Sequence, residues 1–196
     1  MLILDKEAKH GIRGKIIRIL LEIGEISFRD LLVRLPVTTL DFHLRVLKKE
    51  NIVEATEKGY RLRPERVQYF RDKFGIRVDV TLIAAASEEK DLDMAKEVAA
   101  KANITPKDFV YLVSPERVEK LKRIIEEMGA ILLTVNSDPE KAFLEIERLV
   151  VEGIYVKEFV IDLSGSSKPL TIALMKLGEK YGLKRLYMKN GKVIFI

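Results

Sequence analysis

The chain of 196 residues contains no cysteine, which excludes both a disulfide framework and a thiolate metal site. No apolar window is long enough to span a membrane, since the run from Ile16 to Ile23 is interrupted by Arg18 and Glu22. The N-terminus lacks the long apolar stretch of a signal peptide, so we expect a soluble, cytoplasmic protein. A single glutamine and 33% charged residues suggest a thermophilic source.

Histidine is scarce, and two common nucleotide-binding motifs are missing. The two histidines are His10 and His43, and we expect His43 to be a packed, hydrogen-bonded residue rather than part of a hydrolase or metal site. The chain's best phosphate-binding candidate is neither a Walker A loop nor a dinucleotide fingerprint. These absences argue against a kinase, a GTPase or an NAD enzyme. We therefore expect no metal, no cofactor and no assigned catalytic residue.

Positive charge is concentrated in the first part of the chain. The net charge is +5; residues 1–76 carry 16 lysines and arginines against 11 acidic residues, whereas residues 77–196 carry 19 of each. If the protein binds a polyanion, we therefore expect the first part of the chain to bind it. An excess of this size also fits an ordinary solvated surface.

The hydrophobic pattern changes near Phe74-Gly75-Ile76-Arg77. Before this point apolar residues recur with helical spacing. After it, short aliphatic runs alternate with amphipathic helices, which is typical of βαβ units and a parallel sheet. We predict two domains, residues 1–75 and residues 76–196.

The first domain is predicted to contain helices over residues 6–23, 27–35 and 38–50, a β-hairpin of residues 53–56 and 60–63, and a helix over 64–74. Ser27 is expected to cap the second helix, and Thr38 and Asp41 to form a capping box on the third. Two short helices at a sharp turn followed by a hairpin are typical of a winged helix-turn-helix (α+β) domain.

The second domain is predicted to contain strands at 78–86, 109–113, 130–135 and 156–163. Helices are expected at 88–103, 115–128, 138–152 and 169–182, followed by a terminal β-hairpin of 184–188 and 192–196 that turns at Asn190-Gly191. Continuous apolar strands indicate burial on both faces. The prediction is a Rossmann-like α/β domain with a mainly parallel sheet and right-handed crossovers.

One face of the third helix suits DNA. Leu40, Leu44 and Leu47 form its core side, and the opposite side carries hydroxyls, a phenyl ring and cations that could contact a major groove. Cations on the hairpin could meet backbone phosphates. The predicted DNA-binding residues are Thr38, Thr39, Phe42, Arg45, Lys49, Lys58 and Arg61. A solvated helix in a protein-binding winged domain is the alternative.

The segment from Thr38 to Val53, together with Lys58-Gly59-Tyr60-Arg61-Leu62, resembles the recognition helix and wing of ArsR-like winged-helix transcription regulators. This resemblance implies a symmetric dimer that binds a palindromic operator in double-stranded DNA. Metal-sensing members of that family use cysteine clusters, which this sequence lacks. Any signal is therefore expected to come through the second domain.

The stretch Asp162-Leu163-Ser164-Gly165-Ser166-Ser167-Lys168-Pro169 is the most informative motif. Two other predicted helices open with a good N-cap residue before proline, Ser114-Pro115 and Asp138-Pro139, whereas Pro169 follows a lysine. A cation is unfavourable at the positive end of a helix unless an anion is also present. The placement therefore predicts a phosphate-binding turn at the end of a strand. Other polar residues at strand ends, including Ser114 and Asn136, are interpreted as ordinary caps.

The pattern from Val160 to Leu174 resembles the signature of CARF domains, the CRISPR-associated Rossmann-fold sensors. The resemblance extends over residues 77–196 in element order and implies a homodimer whose paired turns bind a cyclic oligoadenylate. The ligand-binding residues that it implies are Ser87, Ser164, Gly165, Ser166, Ser167 and Lys168. The turn contains less glycine than the family pattern. The winged domain also comes first, the reverse of the order in the best-known CARF regulators.

These patterns favour a dimeric DNA-binding transcription regulator that senses a cyclic oligoadenylate. One alternative is a metal-independent ring nuclease, in which a ribose 2′-hydroxyl attacks the adjacent phosphate. Lys168 would stabilise the developing charge and Ser87 or Ser167 would position the ribose. The sequence contains no obvious general base for this reaction. A regulator that senses another nucleotide or a phosphorylated metabolite is the third possibility.

Overall fold

The computed structural model describes residues 11–196, and its contacts divide the chain into two compact units. The first unit ends at Arg77, and the second runs from Val78 to Ile196. The division falls two residues after the predicted end of the first domain. The predicted start of the first helix, and His10, lie outside the described residues.

The described part of the first unit consists of helices and an antiparallel sheet with strand order β1-β3-β2. Its helices are α1 (Ile12–Ile23), α2 (Phe28–Arg34), α3 (Leu40–Lys49) and α4 (Pro64–Phe74), and its strands are β1 (Glu25–Ile26), β2 (Val53–Ala55) and β3 (Tyr60–Leu62). The strands β2 and β3 form the predicted hairpin, each one residue shorter than expected. The strand β1 was not predicted.

Helical spacing of aliphatic residues builds the core of the first unit. Ile16, Ile17 and Leu20 of α1 are fully buried, and α1 packs against α3, α4 and β3. The predicted core residues of α3 (Leu40, Leu44 and Leu47) are at most 1% exposed. Repeats of three and four residues bring these side chains to one face of each helix.

Two expectations about α3 are wrong. Thr39 occupies the N-cap position without a side-chain hydrogen bond, so Thr38 and Asp41 do not form a capping box. Asp41 instead forms an ion pair with Arg45, one turn further along the same face. His43 is half-buried, and its Nδ1 has no hydrogen-bond partner within the described residues, contrary to the expected hydrogen bond.

The second unit is a mixed α/β domain with a six-stranded, mostly parallel sheet. Its strands are β4 (Asp79–Ala85), β5 (Asp108–Val113), β6 (Ile131–Thr134), β7 (Lys157–Asp162), β8 (Lys184–Lys189) and β9 (Lys192–Phe195), and its helices are α5 (Glu89–Lys101), α6 (Val118–Glu127), α7 (Pro139–Gly153) and α8 (Lys168–Tyr181). Only β9 runs antiparallel to its neighbour, and it forms a terminal hairpin with β8. The mainly parallel sheet and the terminal hairpin are confirmed.

The sheet is covered on both faces. Val160 of β7 belongs to a buried cluster that also contains residues of α5 and α6. Its neighbours Phe159 and Ile161 point to the opposite face, because side chains alternate along a strand. There, Gly153 of α7 packs against the Phe159 ring, and Gly178 of α8 packs against Ile161. The helices therefore form one layer on each side of the sheet.

The strand order β6-β5-β4-β7-β8-β9 places a topological switch point between β4 and β7. From β4, the strands β5 and β6 extend the sheet in one direction, whereas β7 and β8 extend it in the other. The helices that follow β4 and β7, α5 and α8, consequently start on opposite faces of the sheet. In open α/β sheets, ligands bind in the crevice at the carboxyl ends of two such strands.

Helix starts in the second unit differ in their caps. Asp138 caps α7 as predicted, since its carboxylate accepts from the backbone N–H groups of Glu140 and Lys141. Ser114 makes no side-chain cap bond, and residues 115–117 form a 3-10 turn before α6 begins. At α8 the N-cap is Ser167 and Lys168 is the first helical residue, so the helix begins one position earlier than the sequence pattern predicted and the lysine is not the N-cap.

The terminal hairpin turns as predicted. Asn190 and Gly191 have φ values of 50° and 73°, the left-handed pair that a two-residue hairpin turn requires. Within residues 11–196, no helix combines the length and the apolar character needed to cross a membrane.

Candidate functional site

The turn after β7 lies against the end of β4, at the switch point. A Cβ atom added to Gly165 would overlap the carbonyl oxygen of Ala85, so only glycine fits where the turn crosses this strand end. The backbone N–H of Ser164 donates to Asp162 Oδ1 (2.9 Å). The Ser164 hydroxyl accepts from the backbone N–H of Met188 (2.8 Å). These contacts hold the turn between β4 and β8.

Asp91 connects this turn to the loop after β4. It lies in the first turn of α5, is 2% exposed, and accepts from the backbone N–H of Ser166 (3.2 Å) and from the Ser166 hydroxyl (2.5 Å). It also accepts from the backbone N–H groups of Ser87 (2.8 Å) and Glu88 (3.0 Å). Asp91 was not among the predicted site residues. Its spacing from Glu88 signals a capping box, but the contact with a serine 75 residues away leaves no sequence signal.

The structure brings both predicted ligand-binding loops together. The hydroxyl oxygens of Ser87 and Ser166 are in direct hydrogen-bond contact across the switch point. Ser87 and Ser167 are half-buried, whereas Ser166 and Lys168 are exposed. Ser87 is not the cap of α5, because Glu88 takes that position.

The start of α8 has hydrogen-bond donors that no group among residues 11–196 uses. The Ser167 side chain makes no cap bond, and the first turn of the helix contains no acidic residue. Within the part of the chain that the structure describes, the backbone N–H groups of Gly165, Ser167 and Lys168 have no hydrogen-bond acceptor, and the Lys168 ammonium contacts no carboxylate. Unpaired amides and a cation at a helix N-terminus are suited to an anion.

A second carboxylate lies beneath the turn. Asp162 is 1% exposed, and this burial raises its pKa because the charged form is desolvated. Hydrogen bonds from the Ser164 side chain and backbone act in the opposite direction, and the negative charge of Asp91 adds to the increase. Two acidic side chains, Asp91 and Asp162, therefore lie on the buried side of the turn, and Lys168 lies on its exposed side.

Neither the cleft between α7 and α8 nor any cluster of potential metal ligands among the described residues offers a comparable site. A cleft between α7 and α8 contains Lys176, which pairs with Glu140 (2.6 Å), and Lys180, which pairs with Glu147 (2.7 Å). These cations already have anionic partners. Among residues 11–196, no group of three or more His, Asp or Glu side chains is arranged to hold a metal ion.

The predicted DNA-binding residues of α3 lie on its exposed side. Phe42 is 60% exposed, and Arg45 and Lys49 are also exposed. Thr38 and Thr39, which directly precede the helix, are exposed as well. Arg45 is held by Asp41, which orients its guanidinium along the helix. Lys48 is exposed as well and was not among the predicted residues.

The two predicted hairpin cations differ. Lys58 is exposed at the turn between β2 and β3, where its backbone N–H donates to Thr56 Oγ1 (3.2 Å). Arg61 is half-buried, and its Nε donates to Glu54 Oε1 (2.7 Å). Arg61 would have to leave this carboxylate to reach a phosphate, whereas the Lys58 side chain is already at the surface.

No protein-family model and no curated protein sequence matches the chain. Among solved structures, the chain is similar to Can2 from Sulfobacillus thermosulfidooxidans in complex with cyclic tetra-adenylate, at 13% sequence identity and a TM-score of 0.43. The match covers 59% of this chain and 36% of that chain, so this chain corresponds to only a minor part of Can2. A TM-score this low supports no argument about the fold or the function.

Proposed function

We propose that the protein is a homodimeric transcription regulator, in which a winged helix-turn-helix unit binds double-stranded DNA and a CARF-like unit senses a cyclic oligoadenylate. The observation that carries the sensor part is the open start of α8. There, Lys168 and three backbone N–H groups without an acceptor among residues 11–196 lie at the switch point of a mostly parallel sheet.

The chemistry of the turn supports a phosphate as the bound group. Backbone N–H groups at a helix N-terminus donate to phosphate oxygens, and the helix dipole favours the negative charge. Lys168 adds a full positive charge in the same place, and no protein carboxylate competes for it among the described residues. Charge-assisted hydrogen bonds of this kind are stronger than neutral ones.

The sequence motif supports an oligoadenylate in particular. The strand that ends in Asp162, the serine-rich turn and Lys168 resemble the CARF signature, which implies a ligand shared between two copies. Ser166, Lys168 and Pro169 are exposed, so one copy leaves its turn accessible to a ligand that a second copy also contacts. A ring with several phosphates could place one on each of the two turns.

The exposed face of α3 supports the DNA-binding part. Hydroxyls, a phenyl ring and cations are presented opposite a leucine core, and the adjacent hairpin carries Lys58. Arginine can read guanine, and a phenyl ring can contact a thymine methyl. The excess of positive charge in residues 1–76 supports the same assignment.

Coupling between the units would follow from ligand-dependent dimer geometry. A ligand shifts the spacing of two recognition helices only as far as its affinities for the two states differ. A titration of DNA with and without saturating cyclic tetra-adenylate measures this coupling. Equal DNA affinities in both titrations would refute it.

Mass spectrometry of small molecules released from freshly purified protein tests the ligand class. We expect an adenylate-containing nucleotide from the wild type and none from Lys168→Ala. Lys176→Ala is the matched control, since Lys176 is an exposed lysine of the same helix that pairs with Glu140. Release of the same nucleotide from Lys168→Ala would contradict the assigned site.

The DNA-binding part is tested with Arg45→Ala. We expect at least a roughly 10-fold loss of affinity for the operator, from one lost base or phosphate contact. Arg123→Ala is the control, because Arg123 is an exposed helical arginine with the same i,i+4 ion pair but belongs to the second unit. Equal affinities of the two variants would contradict the recognition surface.

The ring nuclease alternative has weaker support. The two carboxylates near the turn, Asp91 and Asp162, are buried and already accept backbone N–H groups, so neither is a free general base. Incubation with labelled cyclic tetra-adenylate tests this directly. A linear product would assign an enzymatic function to the second unit.

A further inference from the structure

The hydroxyl groups of Ser87 and Ser166 have a defined hydrogen-bond polarity. Both contact Asp91 Oδ2, Ser166 at 2.5 Å and Ser87 at 3.3 Å, and the two hydroxyl oxygens contact each other. An aspartate carboxylate only accepts hydrogen bonds, and a serine hydroxyl has one proton to donate. The carboxylate therefore determines the direction in which these protons point.

Counting the protons leaves none for a ligand. The Ser166 proton is donated to Asp91 Oδ2, since this oxygen only accepts and lies closer to the Ser166 hydroxyl (2.5 Å) than to the Ser87 hydroxyl (3.3 Å). The Ser87 proton is then donated either to Ser166 Oγ or to Asp91 Oδ2, and both acceptors lie inside the protein. Each serine oxygen keeps only lone pairs for a partner in the crevice. Ser166 is exposed and Ser87 half-buried, so a ligand can reach this pair.

We propose that Asp91 makes the Ser87–Ser166 pair a hydrogen-bond acceptor site, which selects a nucleotide that carries a hydroxyl or amino donor close to its phosphate. The inference rests on the proposed nucleotide site and deepens it. Two oxygens with only lone pairs repel a phosphate oxygen, so the phosphate is directed to Lys168 and the free N–H groups. The serines bind the donor of the same nucleotide, which is a ribose hydroxyl or the amino group of adenine.

This polarity changes the role of two residues. The resemblance assigns Ser87 and Ser166 to ligand binding without a hydrogen-bond direction, whereas their hydroxyl contacts with Asp91 and with each other leave no proton for a phosphate oxygen. The anion site is then formed by the Lys168 ammonium and the backbone N–H groups of Gly165, Ser167 and Lys168, without the serine hydroxyls. Asp91 does not touch the ligand in this arrangement and acts as a positioning residue through Ser166.

Discrimination between nucleotide analogues tests the acceptor site. The wild type is titrated with cyclic tetra-adenylate, with its 2′-deoxy analogue and with cyclic tetra-inosinate, which lacks the amino group. We expect one analogue to bind roughly 10-fold more weakly, because a polar group in the site would lose its partner. Weak binding of the deoxy analogue assigns the ribose hydroxyl, and weak binding of the inosinate assigns the base.

Two variants test which residues cause the difference in affinity between the analogues. Ser166→Ala removes the acceptor and Asp91→Asn removes the group that orients it; both should bring the affinity ratio of the analogues close to one. Ser137→Ala is the control for the first, as an exposed serine that donates to Glu116 (3.2 Å). Asp138→Asn is the control for the second, as an aspartate that caps a helix without contacting the turn. Asparagine caps a helix about as well as aspartate, so Asp138→Asn removes the charge of a capping residue and should not alter the affinity ratio.

Each outcome has one meaning. A ratio that is reduced in Ser166→Ala and Asp91→Asn, and retained in both controls, supports the acceptor site. Equal binding of all three rings by the wild type overturns the acceptor site but leaves the anion site at Lys168 intact. The same holds for a ratio that survives in Ser166→Ala. Failure of the wild type to bind any ring overturns the proposed function and the acceptor site together.

Discussion

Two helices begin beside each other at the switch point, and their first turns have opposite compositions. At α5, Glu88 and Asp91 form a capping box, and Glu89 adds a third acidic residue. At α8, the N-cap Ser167 makes no side-chain cap bond to the described part of the helix, the first turn contains no acidic residue, and Lys168 is the first helical residue. Both helices have a positive N-terminal end. At α5 the protein's own carboxylates compensate it, whereas at α8 the first turn contains no carboxylate.

The difference separates a structural helix start from a binding one. Carboxylates near a helix N-terminus are favourable, and a lysine there is unfavourable unless a ligand supplies the negative charge. Acidic capping residues would stabilise the start of α8 as they stabilise the start of α5, so stability alone does not explain Lys168 at this position. Apart from Asp91, which contacts the turn before α8, we therefore expect charge substitutions in the first turn of α5 to change mainly stability and substitutions of Lys168 to change mainly binding.

The largest effect is expected from Gly165→Ala. The added methyl group would overlap the Ala85 carbonyl and move the turn, which should abolish cyclic tetra-adenylate binding and lower the free energy of unfolding by about 2–3 kcal/mol. Urea unfolding and calorimetry measure the two effects. Gly129→Ala is the control: no atom of the described residues lies within 4 Å of its Cβ position, so only its left-handed backbone (φ 67°) is strained. Its expected cost is about 1 kcal/mol, with normal binding.

Lys168→Glu should move binding and stability in opposite directions. Reversal of the charge should weaken cyclic tetra-adenylate binding by at least about 100-fold, since an attractive charge becomes repulsive. The free energy of unfolding should rise by about 0.5 kcal/mol, because a carboxylate is favourable in the first helical turn. A less stable variant would show that Lys168 has a structural partner, contrary to the open helix start.

Asp162→Asn should be stabilising in a pH-dependent manner. Burial raises the pKa of Asp162 in the folded state above its unfolded value of about 3.9. Between these two pKa values the folded state binds more protons, so the free energy of unfolding falls as pH rises through the window. The asparagine avoids this loss, and the variant should be more stable than the wild type at pH 7 but not at pH 3. Urea unfolding at both pH values measures the difference; a constant difference would contradict the buried charge.

The smallest effect is expected from Glu89→Lys in the first turn of α5. It places at α5 the charge that α8 carries, and it should lower the free energy of unfolding by about 0.5 kcal/mol at low salt. The loss should shrink at high salt, because exposed charges are screened. An unchanged stability at low salt would weaken the comparison of the two helix starts.

Local periodicity was sufficient to predict most of the architecture. Aliphatic runs alternating with amphipathic helices indicated the mainly parallel sheet, and Asn190-Gly191 indicated the terminal hairpin. The strand β1 was missed because two residues, Glu25 and Ile26, have no measurable period. Residues 115–117 start in the 3-10 form although Ser114-Pro115 looks like an ordinary α-helix start, because proline at the first position fits both forms.

The site was only partly accessible from the sequence. The turn from Ser164 to Lys168 is contiguous, so its composition could be read directly. Its connection to Asp91 depends on strand order, which brings together residues far apart in the chain. The polarity of Ser87 and Ser166 depends on that contact and could not be predicted from either loop alone. The ligand-binding and DNA-binding assignments themselves remain predictions.

Isothermal titration of cyclic tetra-adenylate into the wild type, Lys168→Ala and Lys176→Ala tests the central claim most directly. The open helix start predicts equal affinities for the wild type and Lys176→Ala, and roughly 10- to 100-fold weaker binding to Lys168→Ala, the loss expected for one charged hydrogen bond. Equal affinities of all three proteins, or no binding by the wild type, would contradict it.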